Sequence, residues 1–339
     1  MDTIFQTLFS RDPEQIHAGT YYFKIPDLPM CDQHYTLEDE VRSKGINTDE
    51  FFAKRKARFK RDLLSHYESR NVHSPYDEVT CWRLQRFLQG TEANQKIVDV
   101  FCEIAEKGTP FMDLGSYHMG LAPYLLHLNP DTPCLLTNRD RHYVDVLGSC
   151  VRESFRKHNI TVAFCDELHI PMQRESIEVV TGVIPLSGAS QDRIVDSHIM
   201  SLDEMHKWCI MSVLMEVNRV LKPGGLFILS EFGSSMNFSW TELDEFFEKH
   251  EKIYGYYAKD EFYESLRTHK DQEKYALHDD MIRVAGFDIE IKDAYSYKDN
   301  FENRFYKDEL PEKTRELIPD DDLVELEFTE SFYVLRKRM

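Results

Sequence analysis

The sequence predicts an α/β protein: a mostly parallel sheet with helices on both faces. Short apolar runs (PFMDLG, PCLLTN, ITVAFCD, IEVVTGVIPL and LFILSEF) recur between residues 109 and 232. Segments of helical length separate them, and capping or breaking residues stand at the joins. Strands alternating with helices in this way call for crossover connections and a sheet covered on both sides.

Taken in order, residues 1–45 are irregular, with proline and aromatic residues mixed in YYFKIPDLPM. From Thr48 the stretch TDEFFAKRKARFKRDLLSHYESR opens with a capping residue and acids and ends with bases, in keeping with the helix dipole. Helical segments around EVTCWRLQRFLQG and ANQKIVDVFCEIAEKG complete a mostly helical N-terminal extension, residues 1–108. PFMDLG then ends a strand at Gly115. Pro123 limits the helix in HMGLAPYLLHL to starting near that residue or being kinked there. Asp140 suits the cap of DRHYVDVLGSCVRESFRKH, and SLDE at 201–204 forms a capping box for a helix over roughly 202–221. That helix stops at Lys222-Pro223-Gly224-Gly225. A helix in SWTELDEFFEKHEKIYG, a helix ending in MIRVAGF, a strand in DIEIKDAY and a final strand in FTESFYVLRKR follow. About thirty polar and aromatic residues, 295–327, read as a lid-like insertion in a domain spanning 109–339, because they are too many for a hairpin turn.

The bulk composition narrows the function. A chain of 339 residues that is 42% hydrophobic and 30% charged is globular, and it carries no apolar run of membrane-spanning length. The opening MDTIFQTLFSRDPEQ lacks a secretory pattern, and seven cysteines without regular spacing fit a reducing cytoplasm. Cys31 and His34 form a lone C-x-x-H with no second ligand pair, so no metal site is expected. A net charge of −19 excludes a general nucleic-acid binder. The basic cluster KRKARFKR at 54–61 is read as a solvated helix face; an anchor for an anionic partner is the sharper alternative.

Several nucleotide motifs fail. Residues 115–120 match G-x-x-x-x-G, but Leu121 and Ala122 replace the Lys and Ser/Thr of a phosphate-binding loop. The dinucleotide fingerprint is absent because Tyr117 stands where its middle glycine belongs.

Four segments in order resemble the class I S-adenosylmethionine-dependent methyltransferases: FMDLG, VAFCDELHIPMQRESIEVV, EVNRVLKPGGLFILSEF, and VAGF with the last strand. The resemblance covers roughly residues 109–339. It implies a Rossmann-like, seven-stranded sheet with the last strand antiparallel, and S-adenosylmethionine as cofactor. It also implies a set of site residues. Asp113 and the loop of Gly115, Ser116, Tyr117 and Gly120 would face the methionine end. Asn138, with Arg139 and Asp140 beside it, would meet the ribose, and a two-residue shift would make Asp140 the ribose ligand. Asp166 would accept from the adenine amino group, with Glu167 and Leu168 beside the ring. Gly182 and Val183 would lie under the transferred methyl. Two departures stand out: Tyr117 and Met119 replace glycines, and Asn138 replaces an acid.

The expected reaction is methyl transfer to a small-molecule acceptor, which needs in-line placement at roughly 3 Å and exclusion of water. His198, in SGASQDRIVDSHIM, is the candidate base, with His206 and Glu231 behind it. His118 lies in the cofactor loop. The alternative is a methyltransferase fold that has lost catalysis and serves as a scaffold or binding protein; a dehydrogenase is a third reading. The N-terminal extension is expected to fold over the C-terminal ends of the strands. The acceptor atom and oligomeric state are not written in the sequence.

Overall fold

A computed structural model describes residues 4–25, 92–116, 121–153, 159–183, 202–232, 279–300 and 325–339, with positions 42, 47–50, 53, 56, 57, 60, 186 and 277. The expectations for Cys31 and His34, for EVTCWRLQRFLQG, for the capping box at Ser201 and for SWTELDEFFEKHEKIYG lie outside these residues, as does most of the 295–327 insertion.

The described strands are β1 (Glu14–His17), β2 (Thr20–Tyr22), β3 (Phe111–Leu114), β4 (Cys134–Asn138), β5 (Ile160–Phe164), β6 (Ile177–Val183), β7 (Leu221–Phe232), β8 (Phe287–Asn300) and β9 (Glu325–Lys337). They form one sheet in the order β1-β2-β5-β4-β3-β6-β7-β9-β8. The pairings β2–β5, β5–β4, β4–β3, β3–β6 and β6–β7 are all parallel. The described helices are α1 (Glu92–Glu106), α2 (Ala122–Leu128), α3 (Arg141–Glu153), α4 (Leu202–Val220) and α5 (Asp279–Val284). Every residue of β3 and β4 is buried, as a sheet packed on both faces requires. Pro123 occupies the first turn of α2, where its missing N–H costs no helical bond. No described helix is long and apolar enough to cross a membrane.

The chain divides into two compact units. One comprises Met1–Glu231, Leu277–Asp293 and Phe332–Met339; the other comprises Phe232–Ala276 and Ala294–Ser331. All residues considered below belong to the first.

Two expectations are corrected. Among the described residues the sheet has nine strands rather than seven, and residues 4–25 are neither irregular nor helical beyond a single 3₁₀ turn at Ile4–Leu8. β1 and β2 form an antiparallel hairpin, and β2 lies parallel on the edge of β5, Thr20 opposite Val162 and Tyr22 opposite Phe164. A strand of three residues is too short to show a period of two, so its sequence carries no strand signal. What holds it is tertiary. Phe5, Phe9, Tyr21, Tyr22 and Phe23 are buried, and Phe9 meets the rings of Tyr21 and Phe23 edge-on at 5.4 and 4.9 Å. The Tyr22 hydroxyl donates to Asp145 of α3 at 2.5 Å, and the Arg141 guanidinium lies 5.0 Å over the Tyr22 ring.

Positions 48–50, 53, 56, 57 and 60 are helical. Two lysines of the basic cluster meet acids of α3: Lys56 with Asp145 at 3.5 Å and Lys60 with Glu153 at 2.8 Å. Both pairs are solvent-exposed, so water and salt screen them and they add little to stability.

Candidate functional site

The order of the strands reverses at β3, with β4 on one side and β6 on the other, both parallel to it. In open α/β sheets the crevice beyond the carboxyl ends of the strands at this point is where ligands bind. The turn leaving β3 is tight. Gly115 has φ +63°, a left-handed conformation that costs a residue with a Cβ about 1–2 kcal/mol. The Ser116 amide donates to the Thr137 carbonyl at 2.7 Å, which holds the turn against β4.

Asp113 organises this turn. Its side chain is fully buried. One carboxylate oxygen accepts from the Thr181 hydroxyl at 2.6 Å and the Leu121 amide at 3.2 Å, and the other from the Ser116 hydroxyl at 2.5 Å. Its carbonyl accepts from the Thr137 hydroxyl at 3.0 Å, and the Ser116 Oγ lies 2.9 Å from the same carbonyl oxygen. Burial pushes its pKa up to about 6, against the hydrogen bonds from Ser116, Thr181 and Leu121, which pull it down. Both carboxylate oxygens are therefore committed to the chain. Asp113 fixes the residues before and after 117–120 and ties them to β6. Tyr117, His118, Met119 and Gly120 lie outside the described residues.

At the end of β4, Asn138 is buried and its side-chain oxygen accepts from the Asp140 amide at 2.7 Å. Arg139 and Asp140 are half-buried. Asp140 caps α3, one carboxylate oxygen accepting from the His142 amide at 2.7 Å. At the end of β5, Asp166 caps a 3₁₀ turn over Glu167–His169, accepting from the Leu168 amide at 3.0 Å. Asp166, Glu167 and Leu168 are all buried. At the end of β6, Gly182 pairs with Leu114 and Leu229, and Val183 with Ser230. Glu231 is buried and accepts from the Leu186 amide at 3.0 Å. The described candidates thus gather at the carboxyl ends of adjacent strands β5, β4, β3 and β6. His198 lies outside the described residues. His206 is on α4, but its side chain does too.

No protein-family model matches the sequence, and no curated protein does. Among solved structures the chain is similar to a candidate methyltransferase of Bacillus halodurans, with 15% identity over 74% of this chain and 100% of that one, TM-score 0.43. It is similar to a candidate sarcosine dimethylglycine methyltransferase of Galdieria sulphuraria, with 13% identity over 83% of this chain and 98% of that one, TM-score 0.44. A third is the phosphoethanolamine N-methyltransferase 2 of Haemonchus contortus, solved with phosphomonomethylethanolamine and S-adenosylhomocysteine, with 15% identity over 79% of this chain and 61% of that one, TM-score 0.38.

Sequence reasoning missed the N-terminal support of the post-β5 turn. Arg11 donates to the His169 carbonyl at 2.7 Å, and the Ser10 amide to the Pro171 carbonyl at 3.0 Å. The Gln173 amide donates to the Leu8 carbonyl at 2.8 Å, and Phe9 bridges Met172. It also missed Thr137 and Thr181, whose hydroxyls hold Asp113. Nothing distinguishes either from an ordinary β-branched strand residue until the strands are aligned.

Proposed function

We propose that this chain is an S-adenosylmethionine-dependent methyltransferase with a small-molecule acceptor, the cofactor lying across the carboxyl ends of β5, β4, β3 and β6. The observation that carries this reading is the left-handed turn at Gly115, closed by the buried Asp113 at β3, where the strand order reverses. A turn of that kind brings backbone N–H groups close to a ligand without a side chain in the way. In this reading Gly115, Ser116, Tyr117 and Gly120 border the methionine end. Asn138, Arg139 and Asp140 lie at the ribose, Asp166, Glu167 and Leu168 at the adenine, and Gly182 and Val183 beneath the reacting carbon.

The cofactor, when bound, supplies an electrophilic methyl on a sulfonium. The chain's task is to orient the acceptor in line and exclude water. The strand order supports this reading over a dehydrogenase. In the doubly wound dinucleotide fold the sixth strand follows the fifth. Here the last strand, β9, lies between β7 and β8.

Binding without turnover is the competing reading, favoured by Tyr117 and Met119 in place of glycines. Mass spectrometry of small molecules released by denaturing the purified full-length chain tests the proposal. S-adenosylmethionine or S-adenosylhomocysteine is expected. A nicotinamide dinucleotide in its place would overturn it.

A further inference from the structure

We infer that the N-terminal segment Leu8–Arg11 positions the turn that meets the adenine, with Arg11 as the positioning residue that joins it to that turn. The inference rests on the cofactor reading above, which puts Asp166 at the adenine, and names what sets Asp166 in place.

Two contacts bring the N-terminus to this end of the crevice. The first is β2. It runs parallel to β5, as β4 does, so all three strands end at the same edge of the sheet. Tyr22, Phe164 and Asn138 stand in register across them. The Phe23 amide donates to the Phe164 carbonyl at 3.0 Å, which carries the pairing one residue further, toward Cys165 and Asp166. The second contact is the chain before the hairpin, where Phe9 bridges Met172 in antiparallel sense.

The chain after β5 is thereby held along both edges, as a strand between two neighbours is. The carbonyls of His169 and Pro171 and the amide of Gln173 meet Arg11, Ser10 and Leu8. The alternate residues, Ile170 and Met172, meet Arg219 and Glu216 of α4. Arg11 links the two N-terminal contacts. Its guanidinium donates to the His169 carbonyl at 2.7 Å and lies 5.9 Å over the Phe23 ring. A charged donor on a carbonyl makes a stronger bond than a neutral one. His169 ends the turn that Asp166 opens. Its amide donates to the Asp166 carbonyl at 3.0 Å, and the Asp166 carboxylate accepts from the Leu168 amide at 3.0 Å. In so short a turn, a shift of His169 moves Asp166 with it.

Calorimetry on the full-length chain tests this with S-adenosylhomocysteine and S-inosylhomocysteine, whose base carries an oxygen in place of the amino group. Wild type is expected to favour the adenosyl form by roughly tenfold or more, the effect of a hydrogen bond to a charged group. Arg11→Ala is expected to lose most of that preference by binding the adenosyl form more weakly. Arg11→Lys, which keeps a cationic donor, is expected to retain it. Tyr22→Phe removes the hydroxyl that ties the same hairpin to Asp145 of α3; it should lower the melting temperature and keep the preference. A second measurement needs no variant. Coupling between two sites is reciprocal, so saturating S-adenosylhomocysteine should slow hydrogen exchange at the Ser10 and Gln173 amides of wild type. The inference is overturned by a wild type indifferent to the base, by an undiminished preference in Arg11→Ala, by an equal loss in Tyr22→Phe, or by exchange at those amides that ligand does not change. A wild type that binds neither probe refutes the cofactor reading itself, and the inference with it.

Discussion

Arg219 grips Glu216 through two parallel hydrogen bonds of 2.8 Å, and the pair together holds the segment that leads into β6. The same guanidinium donates to the carbonyls of Met172 and Ile170, both at 2.7 Å, and Glu216 accepts from the Ile170 amide at 3.0 Å. The helix before the Pro-Gly-Gly turn and the stretch after the post-β5 acid, far apart in the chain, are one structural unit. Both partners are largely shielded, with 27% and 23% of their side chains exposed. Replacing Arg219 by Ala leaves two carbonyls and a carboxylate without their donor. It should cost about 2–4 kcal/mol. Urea denaturation of the two single variants and the double variant measures this, and Glu216→Gln should cost much less in the Arg219→Ala background than alone.

Asp113 gives the molecule a pH signature. Burial raises its folded pKa to about 6, above the ordinary aspartate value of 3.8. The folded state therefore holds the proton more tightly than the unfolded chain. Its ionisation costs stability near neutrality, and that cost is relieved as pH falls through about 6 toward 4. Between pH 7.5 and pH 5, wild type should gain about 1 kcal/mol relative to Asp113→Asn. Paired denaturation curves at the two pH values read this directly; equal changes in the two proteins would show that residue 113 does not titrate in that window.

Gly115→Ala separates conformation from space. The nearest atom a Cβ would meet is Glu167 Oε1 at 4.0 Å, an ordinary contact. What remains is the φ of +63°, unfavourable for alanine by about 1–2 kcal/mol. Thermal unfolding should register that loss. A much larger one would mean that the turn tolerates no side chain at all.

The N-terminal hairpin should behave as part of the sheet. Deleting residues 1–25 exposes the edge of β5 and removes the buried rings of Phe5, Phe9, Tyr21 and Phe23. Fully burying one such side chain is worth roughly 1.5–3 kcal/mol, so losing several is comparable to the whole margin of a typical domain. The truncated chain should be insoluble or unfolded by circular dichroism, and a well-folded product would refute the role given to β2.

The parts legible in the sequence are those where backbone geometry dictates residue type. Gly225 is one: a Cβ there would lie 2.8 Å from the Glu178 carbonyl oxygen and 2.9 Å from that of Lys222. Gly115 and the cap at Asp140 are others, and the five strands β3 to β7 follow from the apolar runs they punctuate. Two things were not legible. β2 is held by rings and by the edge of β5, contacts that a three-residue segment does not announce. The surroundings of Asp113 and Glu167 depend on which strands are neighbours, and only the order β5-β4-β3-β6 shows that Asp113 meets Thr181 and that Glu167 Oε1 would lie 4.0 Å from a Cβ on Gly115.

The central claim, a cofactor crevice at the β3 reversal, is tested most directly by titrating the full-length chain with S-adenosylhomocysteine in a calorimeter at neutral pH. One saturable site per chain is the predicted result, with binding abolished or sharply weakened in Asp166→Ala. No heat and no shift in melting temperature at millimolar ligand would contradict it.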